Sequence, residues 1–187
     1  MSIFGRHRDR IGPCRKFFAD QGGLSAVEFA LILPVMVLIY LGGFELTQAL
    51  SLNRLVALTA STVTNVTSQY TTISASQQMP DILNASVQVL APWPSSSATV
   101  VVSGITISAS GVATVAWSKA LPSGSARTVG ATVTLPAALD TPGGFVVFGE
   151  TTYAYTPMLD YIHLGTINLY SFDYMLPRAS TTINMTT

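Results

Sequence analysis

The sequence predicts an α+β chain: a long N-terminal helix, transmembrane and then amphipathic, followed by a small antiparallel β-sheet domain. Three observations predict it. Residues 24–44 form an apolar run interrupted by one carboxylate, Glu28. Beyond Glu45, apolar residues recur at helical spacing among Thr, Ser, Gln and Asn. From Ala98 onward, short stretches rich in Val, Ile and Thr alternate with Gly and Pro.

The apolar run comes first because it decides where the protein resides. Leu24 to Phe44 is twenty-one residues. At about 1.5 Å per residue, a helix of that length spans roughly 31 Å, about one hydrocarbon core. A secretory signal peptide also joins a charged start to an apolar core, but that core runs to only about 7–15 residues before a small-x-small cleavage site. Here the run is longer, and Leu41-Gly42-Gly43-Phe44-Glu45 is a poor cleavage site. A membrane-held chain is therefore expected. Pro34 removes one backbone donor inside the helix, which membrane helices tolerate, and predicts a local kink.

Charge sets the expected topology. The chain is neutral overall, yet Arg6, Arg8, Arg10, Arg15 and Lys16 stand against only Asp9 and Asp20 in residues 1–23. That surplus of three positive charges leaves an equal deficit in the remainder. Basic residues before a membrane helix predict a cytoplasmic N-terminus with the bulk of the chain outside. A nucleic-acid patch is the other account of a basic leader, but the adjoining apolar run favours topology, and no nucleic-acid partner is expected.

After Glu45 the stripe Leu46, Leu52, Val56, Val63, Val66, Tyr70 and Ile73 predicts that the helix continues, amphipathic, over residues 45–75. Its apolar side is expected to cover the sheet. Residues 76–187 form the Ser/Thr-rich β domain, opening with a connector bracketed by Pro80, Pro92 and Pro94. Residues 98–108 and 112–119 read as a hairpin. Further strands are expected over 129–135, 145–155 and 162–172, before a tail at Pro177-Arg178.

Little in this domain points to reaction chemistry. Charged residues are only 10% of the chain, and its one cysteine, Cys14, lies in the leader. An exported domain without cysteine has no disulfide and no thiolate nucleophile. His163 lies near Asp160 but lacks the further ligands of a metal site. No Gly-x-Ser-x-Gly elbow occurs, and neither Lys16 nor Lys119 has a serine three residues before it. Asp140, Glu150, Asp160 and Asp173 fall on predicted loops and strand ends, where solvation is the expected role. Trp93 and Trp117 read as packing or loop-anchoring residues. No enzyme activity, metal or cofactor is expected.

The exception is Glu28, because a carboxylate in an apolar run costs several kcal/mol unless paired. The residues around it carry a resemblance. Gly23 followed by Leu24-Ser25-Ala26-Val27-Glu28-Phe29 resembles the recognition site of a prepilin-type peptidase, with glycine before the cut and glutamate five residues after it. The stretch AVEFALILPVMVLIYLGGFE, residues 26–45, is similar to the TadE-like minor pseudopilins of the tight-adherence (Tad, or Flp) pilus system. Two tail stretches, YAYTP at 153–157 and YMLPR at 174–178, resemble that family's C-terminal end. The middle of the chain carries no such motif.

The resemblance implies a pilin-like plan and a membrane-held assembly protein rather than an enzyme. It implies cleavage between Gly23 and Leu24, with Glu28 and Phe29 in the recognition stretch. It further implies that Glu28 pairs with the new Leu24 amine of a neighbouring subunit. The implied partners are a prepilin peptidase, other pseudopilins or pilin through the helix, the inner-membrane assembly platform and the lipid bilayer. From position alone, Glu28 also fits the headgroup level, where water reaches it. Two other readings stay open: a signal-anchored periplasmic enzyme or binding module, and a single-pass receptor or adhesin stalk.

Overall fold

The computed structural model describes residues 21–157 and 165–187. The leader with Cys14, and the segment with Asp160 and His163, lie outside the described residues. The chain divides into two compact units, Met1–Phe44 and Glu45–Thr187.

The described part of the first unit is the opening of helix α1 (Gln21–Ser68), which runs through Pro34. From Ser25 to Tyr40 every residue is exposed. Leu31, Ile39 and Tyr40 are each more than 70% exposed, on different sides of the helix. A helix that is apolar all round matches a hydrocarbon surrounding rather than water.

The second unit holds the rest of α1 and the sheets. Here the helix becomes one-sided: Leu52, Val56, Ala60 and Val63 are fully buried, while Leu50 and Leu58 are more than half exposed. Leu46, expected on the buried stripe, is 61% exposed. The buried face also carries Thr59, Thr64, Thr67 and Ser68. Three of these hydroxyls have donor bonds to carbonyls one turn back: Thr59 to Leu55, Thr64 to Ala60 and Ser68 to Asn65. Such local bonds let small polar side chains enter a packed interface at modest cost.

The helix ends at Ser68, short of the residue 75 to which the sequence predicts it. The Arg178 N–H from the C-terminal tail donates to the Ser68 carbonyl at 2.8 Å, satisfying one acceptor that a helix end leaves open. Ile73 then lies not on the helix but in strand β1 (Thr72–Ser74), which pairs in parallel with β6 (Asn184–Thr186).

The expected connector at Pro80 is a second helix, α2 (Gln78–Val87). Pro80 sits in its first turn, where the missing N–H has no helical acceptor to lose. Met79, Ile82, Leu83, Ser86 and Val87 are buried along one side. Two short 3-10 turns, Gln88–Leu90 and Ser95–Ser97, lead into the main sheet.

That sheet has β2 (Ala98–Ile107), β3 (Ala113–Leu121), β4 (Phe145–Tyr155) and β5 (Ile167–Met175) in the order β3-β2-β4-β5. All its pairs are antiparallel. One face packs Val100, Val102, Trp117, Phe145, Val147 and Tyr153 with residues of α1 and α2 in the main core. On the other face a second cluster of Ile105, Ile107, Ala113, Val146 and Phe148 is covered by Val133, Leu135 and Leu139.

Those covering residues come from the connection between β3 and β4. Residues 129–135 do not form the expected strand; a single bridge joins Thr132 to Thr114. Gly130 takes a left-handed φ of 83°, which breaks extended geometry. The segment still bonds along β3, with the Val115 and Val133 N–H groups donating to Ala131 and Ala113 carbonyls. The last expected strand starts at Ile167 and runs to Met175.

Candidate functional site

The peptide bond between Gly23 and Leu24 lies in the first turns of α1. Gly23 is exposed, and a Cβ added there would meet nothing within 4 Å. Glu28 and Phe29 are exposed one turn further on. At the helical rise, Glu28 sits about 6 Å along the axis from Leu24.

Glu45, the first charged residue after the apolar run, has a partner in the sheet domain. It accepts a hydrogen bond from the Tyr155 hydroxyl at 2.7 Å, tying the last residue of β4 to the helix. Burial, and then the bond to this carboxylate, push the Tyr155 phenol up to about 12. Trp93 completes the group, its ring edge-on to Tyr155 at a centroid distance of 5.7 Å.

Glu150, expected to be solvated, instead anchors a charge network in the middle of β4. Arg127 grips it with two donors, Nε to Oε2 at 2.6 Å and a terminal nitrogen to Oε1 at 2.8 Å. Tyr170 donates its hydroxyl to the same Oε1 at 2.8 Å. The Arg127 guanidinium also lies 5.0 Å over the Phe148 ring, which stacks on Tyr174. The bond to Glu150 raises Arg127 above the ordinary arginine value, and burial together with that carboxylate pushes Tyr170 up to about 12. The Arg127 N–H donates to Ser118 Oγ at 3.0 Å, so the network fastens the covering segment to the sheet. Arg127 and Glu150 are 23 residues apart and share no motif, so the sequence carried no signal for the pair.

The described surface offers shallow clefts. One of about 320 Å³ is lined by Thr106, Trp117, Phe145 and Ile183 among others, and another of the same size by Asn84, Gln88, Ser95 and Ser96 among others. Asp140 edges a third, of about 280 Å³. Among the described residues no group of three His, Cys, Asp or Glu side chains could hold a metal ion. Asp173, on β5, accepts from the Tyr174 N–H.

The features that stand out are a helix apolar on every side, one carboxylate near its start, and a helix-backed antiparallel sheet. Together they define a class: α+β proteins led by a helix long and apolar enough to cross a membrane. Within that class, residues 23–65 match the family model described as TadE-like protein, the family that the opening of the helix resembles. The match begins at the glycine of the peptidase-like motif and ends within α1, so the sheet domain and both tail stretches lie beyond it. No curated protein and no solved structure matches the chain.

Proposed function

We propose that this protein is a membrane-held minor pseudopilin that takes part in assembling a Tad-type pilus, serving adhesion or a related secretion apparatus. Residues 24–44 cross the inner membrane, the N-terminus faces the cytoplasm and the sheet domain faces the periplasm. A prepilin-type peptidase removes residues 1–23. The helix then joins other pseudopilins or pilin and meets the assembly platform. What carries this reading is the fully exposed apolar opening of α1, with Glu28 near its start, inside the TadE-like match.

Glu28 has the assembly role in this account. Cleavage creates an amine at Leu24, and in a medium of low dielectric that cation and a carboxylate on a neighbouring helix attract strongly. The test uses Glu28→Ala and Glu28→Gln in cells carrying the whole pilus system. Both variants should insert, since losing an intramembrane charge lowers the transfer cost by about 2.5 kcal/mol. Both should lose cross-linking between cysteines placed near residue 24 and residue 28 of different subunits. Variants that insert, cross-link and assemble as well as the parent would remove Glu28 from the assembly mechanism.

A further inference from the structure

We propose that the rim of the sheet domain carrying Trp93 and Ile167, fastened beside Glu45 by Tyr155, rests in the headgroup layer of the bilayer that α1 crosses. This builds on the membrane reading above and adds an interaction surface to it.

The depth of the rim follows from covalent and hydrogen-bonded links. Glu45 directly follows Phe44, the last residue of the apolar run. The Tyr155 hydroxyl reaches Glu45 at 2.7 Å, so the end of β4 lies beside the residue that directly follows the run. Tyr155 pairs with Ile167, the first residue of β5, and Ile167 is 39% exposed. Trp93 stands edge-on to Tyr155 and is half-buried. The end of the sheet beside Glu45 therefore carries a tryptophan and an isoleucine.

The neighbouring helix surface agrees. Leu46 and Leu50 are exposed by more than half, although they belong to the unit that has a core. At about 1.5 Å per residue they lie about 2 and 8 Å beyond Glu45 along the axis, close to the thickness of a headgroup layer. The first basic residue after the leader is Arg54, one to two turns further out. Exposed apolar groups with a Trp next to the end of a membrane run, and a cation only beyond them, fit lipid headgroups and upper acyl chains.

The experiment reconstitutes the full chain in phosphatidylethanolamine–phosphatidylglycerol vesicles containing lipids brominated near the headgroup end or near the tail end of their chains. Comparing the parent with Trp93→Phe separates the emission of Trp93 from that of Trp117, which is buried in the core. Tyr40→Trp in the Trp93→Phe background reports the helix itself. The Trp93 emission should be quenched by the shallow label about twofold or more over the deep label, as for interfacial tryptophans. Tyr40→Trp should be quenched too. If Tyr40→Trp is quenched while Trp93 is indifferent to both labels, the rim proposal is overturned and the membrane reading stands. If neither is quenched, the helix is not in the bilayer and both fall.

Discussion

Gly149 lies directly under Val63: a Cβ added to Gly149 would stand 2.9 Å from Val63 Cγ1 and 3.0 Å from the Ala60 carbonyl oxygen. Strand β4 and helix α1 approach so closely there because one side chain is missing. The second of these neighbours is backbone, which cannot rotate away. Gly149→Val should therefore destabilise the domain by about 1–3 kcal/mol or more through overpacking. Gly149→Ala should show a smaller loss of the same sign. Denaturant titration in detergent reads both, and a neutral Gly149→Val would contradict the packing described.

The Arg127–Glu150 pair makes a different prediction. Glu150 is only 13% exposed in its side chain, whereas Arg127 is 37% exposed. Arg127→Ala leaves a half-buried carboxylate with only Tyr170 to satisfy it, and should cost about 1–3 kcal/mol. It should also free the segment between β3 and β4, seen as faster hydrogen exchange at the Val115 and Val133 amides. Glu150→Gln keeps the shape and part of the bonding, so it should cost less. Equal effects from the two variants would count against the charged grip.

Alkaline pH should weaken the fold. Tyr155 and Tyr170 hold their protons to about 12 in the folded chain, against the usual 10.0. Between those values the unfolded chain binds fewer protons than the folded one, so stability falls as pH rises. The contribution is fully present below pH 10 and is lost through about pH 12. Tyr170 is 51% exposed, so solvent screening makes its share the smaller. Tyr155→Phe should give a shallower alkaline decline in thermal melts, and an unchanged slope would show that burial and the Glu45 bond do not hold the phenol's proton beyond its ordinary range.

Much of the architecture was legible because it repeats a pattern many times. The apolar run, the hairpin of β2 and β3, and β4 over residues 145–155 each carry enough periodic residues to declare themselves. Helix α2 stands where the sequence predicts only a connector, although Met79, Ile82, Leu83 and Val87 have helical spacing. Pro80 hides that spacing, because proline marks a connector everywhere except in the first helical turn, which it occupies here. Strands β1 and β6 are three residues each and pair across 112 positions, Thr72 with Asn184, which leaves no local pattern to read. The helix end at Ser68 depends on a donor from Arg178, and the grip on Glu150 on Arg127, so both are set by tertiary partners. Residues 129–135 had strand composition, but Gly130 turns the backbone away from it.

Topology supplies a test independent of assembly. A reporter active only outside the cytoplasm should be active when fused after Thr187, given the basic leader and the acidic remainder. Activity from a cytoplasm-only reporter at that position would reverse the orientation and remove the pilus reading.

The most direct measurement is the N-terminal sequence of the mature chain, expressed with and without a prepilin-type peptidase. The account predicts a new N-terminus at Leu24 that appears only with the peptidase, and none in Gly23→Arg, because a long charged side chain replaces a hydrogen at the cut. An N-terminus after Phe44 that forms without the peptidase would mean that an ordinary signal peptidase releases the domain, and it would contradict the account.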